Sequence, residues 1–595
     1  MKEEWFKHPT NLVDLFEDSV KKFGKCNYFG TKNSNGDYEW VTYEQVSARV
    51  DNLRGGLAQI GVKKGDSIGL IINNSVEWVV IAFATYGLNA RFIPMYEKEL
   101  VNTWHYIIKD SGLRFLFVVD DDVYNKIKGF KDEIDTLEKI FIIRGEGENS
   151  MAVLEKLGEQ NPIPSVKPHW SDIAVLIYTS GTTGDPKGVL LRHGNITSNF
   201  QSSFKLFPDF DENDVTFGIL LWAHSFGQTS ELYLNTYRGM SCGLMDTPET
   251  LMVDIGKVKP TVLMSVPRIF TNIYNFIHYK MKEAGPAIEG AFLKAKKTAK
   301  ILREGGTASE EDKKAMEGIF QNLRGFFGGR LRLSSTGGAT MNPEIAQFFI
   351  DIGIPTYDGY GMTETSPGIT SNCPTANKLG TVGRPYENVT VIIDKSQVGE
   401  DSKDGEIICY GPNVMQGYHN KPNKTAETMV EDPVLGEGVR TGDRGWIDED
   451  GYLHITGRFK EEYKLENGKY VHPASIEEAV KLSPLIGNIM IYGDGKPYNV
   501  GLVVPDLVML PVIAKNMGIS ETDPVKLVKD PKIQKLLEGT IVNQLKDTFG
   551  GYEIPKKFIF TAEEFTLENG LLTQTMKLKR GNVLQKYGEQ INALY

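Results

Sequence analysis

Short apolar runs rich in β-branched residues alternate with longer helical stretches from about residue 40 to residue 370. Such runs are typical of buried strands, and strand–helix alternation indicates parallel sheets with helices on both faces. We therefore predict an α/β fold for this part of the chain. The predicted strands are residues 67–72, 114–119, 140–143, 174–178, 261–266 and 331–335.

Two further stretches are predicted to be helical. The most apolar one, residues 78–88, is only about half of the ~20 residues that a membrane span needs, so we interpret it as a buried helix. Residues 274–328 are highly charged and mostly helical, and we expect their charges to form a solvated face. Within them, Ser309 followed by Asp312 three positions later is typical of a capped helix N-terminus.

The pattern changes near residue 380. Up to residue 454, short strands are separated by Gly, Pro and Asp, which predicts a β-rich subdomain, and the turn DEDG at 448–451 predicts a hairpin. Beyond Arg458, strands at 488–492 and 500–504 lie among amphipathic helices. We predict a large N-terminal domain, residues 1–457, and a small α+β C-terminal domain, residues 458–595, with the boundary near Lys460.

Composition narrows the classes of protein. The net charge of −11 disfavours a nucleic-acid binder, which would present a basic face. Four widely spaced cysteines include no CxxC pair, so we expect neither a zinc site nor a disulfide framework, and a reducing cytoplasmic location fits. The N-terminus lacks the basic and apolar regions of a signal peptide, and we expect no transmembrane segment. Peripheral membrane association and the oligomeric state stay open.

The strongest chemical signal is YTSGTTGDPKG at residues 178–188, directly after an apolar strand. Its glycines let backbone N–H groups approach phosphate oxygens, while its hydroxyl groups and lysine add donors and a positive charge. A Walker A loop would have Ser or Thr after the lysine, where this chain has Gly188. A Gly/Thr-rich turn is by default a flexible loop, but this composition after a buried strand favours phosphate binding. The predicted contacts are Thr179, Ser180, Gly181, Thr182, Thr183, Gly184 and Lys187.

Six further motifs follow in order: WAHS at 222–225, STGGA at 335–339, YDGYGMTE at 357–364, TGD at 441–443, GRFK at 457–460 and TQTMKLKR at 573–580. Together with the phosphate segment they resemble the signatures of the acyl-adenylate-forming superfamily, which includes acyl-CoA synthetases, luciferases and the adenylation domains of peptide synthetases. Each motif is moderately specific by itself, but the ordered set covers nearly the whole chain. The resemblance implies that the small C-terminal domain is mobile.

The resemblance also implies a nucleotide site. Tyr360 could lay its ring on adenine, and Asp443 could accept hydrogen bonds from the ribose hydroxyl groups. Taken alone, a Gly-rich segment with a tyrosine is usually a turn, and an aspartate such as Asp443 is usually a helix cap or part of a turn. Their occurrence together with the other motifs favours ATP binding. The further implied contacts are Gly338, Ala339, Asp358, Gly359, Gly361, Thr363 and Arg458.

Catalytic roles follow from the same resemblance. Glu364 is a hard oxygen ligand that suits a Mg²⁺ ion bridging the ATP phosphates, and Thr363 offers a hydroxyl group beside it. Lys577 would reach the carboxylate and the α-phosphate, where negative charge builds up in the transition state. Lys579 is the rival for this role. The family commonly has glycine before the lysine, whereas this chain has Met576, a variant closer to long-chain acyl-CoA synthetases.

The remaining implied positions concern the acid, the hinge and the thiol. Trp222 and His224 are placed at the acid pocket, where His224 would shape the entrance. A structural role for this histidine stays open, and Trp222 fits core or pocket wall better than a gate. Lys460 would be the hinge between the domains, and Gly468 would line the path of coenzyme A.

The implied reaction has two steps. A carboxylic acid attacks Mg²⁺-ATP to give acyl-adenylate and pyrophosphate, and coenzyme A then displaces AMP. We expect a medium- or long-chain fatty acid, since residues 483–506 and 274–328 resemble long-chain acyl-CoA synthetases in particular. The alternatives are an aromatic or short-chain acid–CoA ligase, an acyl-AMP ligase that serves a carrier protein, and a nucleotide-binding module without catalysis.

Overall fold

The computed structural model describes residues 3–179, 185–459, 461–573 and 576–595. In these ranges the α-helices are α1 (Leu12–Phe23), α2 (Tyr43–Gln59), α3 (Val76–Tyr86), α4 (Val101–Asp110), α5 (Asp121–Ile127), α6 (Phe130–Glu133), α7 (Met151–Gln160), α8 (His193–Leu206), α9 (Leu234–Arg238), α10 (Leu251–Val258), α11 (Pro267–Glu283), α12 (Pro286–Arg303), α13 (Glu310–Gly325), α14 (Pro343–Asp351), α15 (Pro422–Thr428), α16 (Pro473–Val480), α17 (Met509–Asn516), α18 (Pro524–Leu527), α19 (Pro531–Leu545) and α20 (Arg580–Asn592).

The strands of the same ranges are β1 (Asn27–Lys32), β2 (Tyr38–Thr42), β3 (Ser67–Ile71), β4 (Arg91–Met95), β5 (Phe115–Val118), β6 (Lys139–Ile142), β7 (Ile173–Thr179), β8 (Lys187–Arg192), β9 (Val215–Gly218), β10 (Ser241–Leu244), β11 (Val262–Ser265), β12 (Leu333–Thr336), β13 (Thr356–Gly361), β14 (Gly368–Ser371), β15 (Arg384–Pro385), β16 (Thr390–Asp394), β17 (Gly405–Tyr410), β18 (Gly417–Tyr418), β19 (Met429–Asp432), β20 (Gly436–Ile447), β21 (Leu453–Arg458), β22 (Tyr463–Lys464), β23 (Tyr470–Val471), β24 (Ile486–Tyr492), β25 (Val500–Pro505) and β26 (Lys557–Phe560). A π-helix spans Gly227–Tyr233.

A seven-stranded sheet has the order β18-β8-β7-β4-β3-β5-β6. Its strands β3 to β7 pair in parallel, whereas at one edge β8 pairs antiparallel with β7 and β18 pairs antiparallel with β8. All of β3 is buried, as expected for a parallel sheet covered on both faces. Helix α3 is buried from Trp78 to Tyr86, so the prediction of a buried helix is confirmed.

A nine-stranded sheet has the order β15-β14-β13-β12-β11-β9-β10-β1-β2. Its six central strands pair in parallel, and the edge strands β2, β14 and β15 run antiparallel to their neighbours. The six strands predicted from the sequence correspond to β3, β5, β6, β7, β11 and β12, which confirms the α/β fold.

Three helices, α11 to α13, form most of residues 274–328, as predicted. Helix α13 begins after Ser309, whose hydroxyl oxygen accepts a hydrogen bond from the Asp312 N–H over 3.1 Å. The Asp312 carboxylate accepts from the Ser309 hydroxyl group over 2.8 Å, so Ser309 caps the helix through both the side chain and the backbone of Asp312. Within the described residues, no helix is both long and apolar enough to cross a membrane.

The β-rich subdomain is an antiparallel sheet in the order β16-β17-β20-β19, with β21 paired to β20. The predicted hairpin at residues 448–451 joins β20 to β21, where Ile447 pairs with Leu453. After residue 462 the chain forms the hairpin β22–β23, the sheet β24-β25-β26 and helices α16 to α20. Two hydrophobic clusters, around Leu537 and around Leu502, consist of residues from this last part of the chain. The domain boundary and the mobility of the small domain remain predictions.

Candidate active site

A cavity of about 2000 Å³ lies where the strand ends of the large sheets face the C-terminal part of the chain. Ligands of open α/β sheets commonly bind beyond the carboxyl ends of the parallel strands. Predicted site residues that line the cavity are Thr179, Lys187, His224, Gly338, Ala339, Gly359, Tyr360, Gly361, Thr363, Glu364, Asp443, Arg458 and Lys577. The predicted residues Ser180, Gly181, Thr182, Thr183, Gly184 and Lys460 lie outside the described part of the chain.

Asp443 is held between two of the other predicted residues. Its Oδ2 accepts a hydrogen bond from the Tyr360 O–H over 2.6 Å, and its Oδ1 accepts from Arg458 Nε over 2.6 Å. Asp443 and Arg458 face each other because β20 and β21 pair at these positions. Burial, and then the Asp443 charge, raise the pKa of Tyr360, while that charge raises the pKa of Arg458. The carboxylate is thereby oriented, and each oxygen keeps a lone pair for a diol.

The strand β13, which carries Tyr360, runs close to the neighbouring strand β14. At Gly361, a Cβ atom would lie 1.8 Å from the Pro367 carbonyl oxygen, so only glycine fits there. Gly338 has a φ of +82°, a conformation that favours glycine, in the loop that follows β12. The lack of space at Gly361 and the positive φ at Gly338 explain why these two positions in the predicted nucleotide motifs are glycine.

Glu364 is buried beside the cavity, with 6% of its surface exposed. Its Oε1 accepts a hydrogen bond from the Tyr418 O–H over 2.7 Å, and Lys187 Nζ lies 4.6 Å from the centre of the Tyr418 ring. The hydroxyl groups of Thr363 and Ser225 are 3.2 Å apart. Tyr418 was missed by the sequence analysis because β18 reaches β8 from more than 200 positions away.

A single carboxylate at this position fits the predicted Mg²⁺. In the described residues no group of three His, Cys, Asp or Glu side chains could form a metal cage. Magnesium, however, is usually held by one or two carboxylates together with substrate phosphates and water. Glu364 could therefore hold an ion that arrives with ATP.

Lys577 sits in a tight loop that faces the cavity. Leu572 and Leu578 form an isolated bridge, the Lys577 N–H donates to Thr573 Oγ1 over 3.0 Å, and the Thr573 N–H donates to the Lys577 carbonyl over 2.8 Å. The side chain remains accessible from the cavity, but partial burial among the residues around it lowers the pKa of Lys577. The Arg458 charge also lowers this pKa, whereas Asp443, Glu461 and Glu364 oppose the shift. The rival Lys579 also lines the cavity.

His224 lies in the cavity wall on the loop between β9 and the π-helix. Its Nδ1 accepts a hydrogen bond from the Phe226 N–H over 3.2 Å, which places the ring proton on Nε2. Burial, and then the positive charge of Lys577, lower the pKa of His224 to about 4. At neutral pH this side chain is therefore an uncharged donor near Lys577.

Trp222 differs from its predicted position at the acid pocket. It is fully buried and does not line the cavity, and its indole N–H donates to Glu231 Oε2 over 2.8 Å. The cavity beside His224 is instead lined by apolar side chains that the sequence analysis did not single out. These are Phe207, Phe210, Ile219, Leu220, Leu221, Phe226, Leu234, Met245 and Met264.

Asp358 and Gly468 lie outside the cavity lining. Asp358 Oδ2 accepts from the Met341 N–H over 3.2 Å, and burial raises the pKa of Asp358 to about 8. It borders a small space next to the nucleotide loop. Gly468 is exposed in the turn between β22 and β23 with a φ of +84°. Its place on the path of coenzyme A stays a prediction.

Comparison with known families matches most of the chain. Residues 16–419 match the AMP-binding enzyme family, and residues 462–595 match the C-terminal domain of AMP-binding enzymes. The chain therefore belongs to the AMP-binding enzyme family, and it is an AMP-forming acid–thiol ligase.

Full-length relatives and solved structures agree with this assignment. "Long chain acyl-CoA synthetase 6, peroxisomal" of Arabidopsis thaliana is 31% identical over 99% of this chain and 87% of its own length. "Long-chain-fatty-acid--CoA ligase 6" of Mus musculus is 28% identical over 99% and 87%. The anthranilate CoA ligase AuaEII in complex with anthranoyl-AMP has a TM-score of 0.74 at 20% identity, covering 98% of both chains. The adenylation domain of a carboxylate reductase from Mycobacterium chelonae has a TM-score of 0.78 at 20% identity, over 99% and 92%. The two structures share the fold.

Proposed function

We propose that the protein activates a medium- or long-chain fatty acid with ATP and transfers the acyl group to coenzyme A. The observation that carries this proposal is the apolar wall beside His224, in the same cavity as Asp443, Glu364 and Lys577. An apolar wall favours a hydrocarbon chain, since burial of such a chain is worth about 0.8 kcal/mol per CH₂ group. The names of the full-length relatives support the same class of acid.

In the first step the fatty acid carboxylate oxygen forms a bond to the α-phosphorus of ATP, and pyrophosphate leaves. Asp443, oriented by Tyr360 and Arg458, would hold the ribose hydroxyl groups. The Lys577 ammonium would compensate the negative charge that develops between the carboxylate and the α-phosphate. A Mg²⁺ ion, when held by Glu364, would supply charge for the leaving pyrophosphate.

In the second step the coenzyme A thiol releases its proton to water, its sulfur forms a bond to the acyl carbon, and AMP leaves with the electron pair of the broken C–O bond. The uncharged His224 side chain, which lines the cavity, would donate its Nε2–H to the acyl group and orient it without adding charge. The cytoplasmic location predicted from the sequence also stays a proposal, because two similar plant proteins carry "peroxisomal" in their names.

Acid-dependent exchange of pyrophosphate into ATP tests the first step. We expect exchange with octanoate or palmitate and little with benzoate, acetate or amino acids. An amino acid needs an acidic partner for its ammonium group, and Glu231, the acidic residue after the His224 motif, faces the Trp222 indole instead. Exchange driven by an amino acid and not by fatty acids would contradict the proposal, and exchange with benzoate alone would indicate an aromatic acid ligase.

AMP release in the presence of coenzyme A tests the second step. We expect AMP release to depend on coenzyme A when the best fatty acid is supplied. Stable acyl-adenylate that passes only to a phosphopantetheine-bearing carrier protein would identify an acyl-AMP ligase. No exchange with any acid would indicate a nucleotide-binding protein without catalysis.

A further inference from the structure

A fully buried carboxyl group stands directly behind the acid side of the cavity. Glu231 belongs to the π-helix Gly227–Tyr233, and none of its surface is exposed. Its Oε2 accepts the Trp222 indole N–H over 2.8 Å. Buried carboxyl groups are costly, so one placed in a core requires such a partner.

Trp222, the partner of Glu231, stands at the end of a four-residue segment, residues 219–222. Three of its residues, Ile219, Leu220 and Leu221, line the cavity, whereas the Trp222 ring packs into the core against Trp78 and Phe29. The ring centres lie 5.7 Å and 5.5 Å away, respectively. The segment thus presents apolar side chains to the cavity on one side, and on the other side its Trp222 indole is hydrogen-bonded to Glu231.

Asn74 supports the same segment from another element. Its Oδ1 accepts the Trp222 backbone N–H over 2.9 Å, and its Nδ2 donates to the Leu220 carbonyl over 2.7 Å. The π-helix packs tightly on the segment as well, since a Cβ atom at Gly227 would lie 2.4 Å from the Leu221 carbonyl oxygen. The π-helix and the segment therefore form one unit.

His224 is positioned by this unit. Its backbone N–H donates to the Leu221 carbonyl over 3.0 Å, and its own carbonyl accepts from the Gln228 N–H over 3.1 Å. A displacement of residues 219–222 would therefore move both the apolar wall and His224. Short π-helical segments are often found at functional sites, which agrees with this arrangement.

We propose that Glu231 is a positioning residue for the acid substrate, and that it acts through Trp222 to hold the apolar wall and His224 in place. Glu231 acts through its Oε2, which accepts the Trp222 indole N–H. The identity of the acid in this inference rests on the proposed function, whereas the positioning role of Glu231 does not depend on which acid is bound.

The test is a double-mutant cycle between the two side chains. Glu231→Leu removes the acceptor and leaves the indole N–H buried without a partner, which is more costly than removing both groups. We expect the KM for the acid to rise about tenfold, a change that one lost buried hydrogen bond can produce. The KM for ATP should stay within about twofold of the original value. In the double variant Glu231→Leu/Trp222→Phe, the KM for the acid should return at least partly towards that of the unmodified enzyme.

Two further variants keep the test decisive. Glu231→Gln retains a neutral acceptor and should keep the KM for the acid within about twofold. Tyr43→Phe is the matched control, because it removes buried hydrogen bonds to the Asn235 and Met240 carbonyls without touching residues 219–222. It should lower thermal stability and leave the KM for the acid unchanged.

The measurements use the full chain and whichever of the acids tested in the pyrophosphate exchange assay the unmodified enzyme prefers. Preference for a non-fatty acid would contradict the proposed substrate but leave the Glu231 test intact. Equal rises in KM for acid and ATP in Glu231→Leu, or a Glu231→Gln variant as impaired as Glu231→Leu, would overturn the positioning role. If Glu231→Leu fails to fold, Trp222→Phe replaces it, and an unchanged KM for the acid would then overturn the proposal.

Discussion

The Glu364 carboxylate is oriented by Tyr418, whose O–H donates to Oε1 over 2.7 Å. We expect Glu364→Ala to lower acid-dependent ATP–pyrophosphate exchange at least about a hundredfold, because the carboxylate that would hold the phosphate-bound ion is lost. Tyr418→Phe removes only the orienting hydrogen bond and should cost about tenfold. Near-normal exchange by Glu364→Ala at ordinary Mg²⁺ concentrations would show that this carboxylate has another role.

Glu231 should also affect how stability depends on pH. Burial raises the pKa of Glu231 well above its ordinary value. Above about pH 4.3 the unfolded chain loses this proton while the folded chain retains it, so the free energy of unfolding falls as pH rises towards the folded-state pKa. Glutamine does not titrate.

The variant Glu231→Gln should therefore gain stability relative to the unmodified protein as pH rises. The difference in free energy of unfolding should grow from about pH 4.3 until the pH reaches the folded-state pKa, by at most about 1.4 kcal/mol per pH unit. Denaturant unfolding at several pH values measures it. A difference that is constant across this range would mean that Glu231 ionises in the folded protein.

At the scale of elements, the loop around Lys577 depends on an unusual backbone conformation. Met576 has a φ of +60°, in the left-handed region that most residues avoid. The acyl-adenylate-forming superfamily commonly has glycine at this position, and the positive φ explains that preference. A methionine can adopt it at a modest cost of about 1–2 kcal/mol, whereas a β-branched residue is a genuine outlier there.

Two substitutions test the role of this conformation. Met576→Gly should keep pyrophosphate exchange within about twofold, because glycine adopts a positive φ freely. Met576→Val should lower exchange about tenfold or more, because the loop must change its path and Lys577 moves with it. Thermal unfolding of both variants controls for loss of the fold. Equal activity of the two variants would mean that the loop conformation does not position Lys577.

At the scale of the whole molecule, the described structure brings the C-terminal lysine motif to the nucleotide side of the cavity. Lys577 lines the cavity with Asp443, Arg458 and Glu364, whereas Gly468 lies on an exposed turn outside it. This arrangement suits the adenylation step. Thioester formation needs access for the coenzyme A thiol, which a rotation of the small domain about the predicted hinge at Lys460 would provide.

We expect the two half-reactions to separate. Lys577→Ala should strongly reduce adenylate formation and leave thioester formation from supplied acyl-adenylate largely intact. Lys460→Pro, which restricts a hinge torsion, should spare adenylation and impair the second step. Lys579→Ala is the matched control, a neighbouring lysine that also lines the cavity. Equal losses in both steps for Lys577→Ala and Lys460→Pro would contradict domain alternation.

The sequence by itself determined the α/β class, the β-rich hairpin region and the buried helix α3, and most of the residues that it predicted for a nucleotide site line one cavity. Local patterns suffice for these features, because strand burial, turn residues and a glycine-rich loop are set by neighbouring positions. The hairpin between β20 and β21 was predicted, but the Asp443–Arg458 contact follows from its register, which shifts between Arg444 and Gly445.

The tertiary structure alone decided which way the large side chains face. Trp222 was expected at the acid pocket and lies in the core, because the indole N–H finds a buried acceptor in Glu231. Tyr418 reaches Glu364 only because β18 joins β8 across the fold. Such contacts depend on the packing of elements that are remote in sequence, and the free energy of burying and pairing each polar group selects one arrangement among many that the local pattern allows.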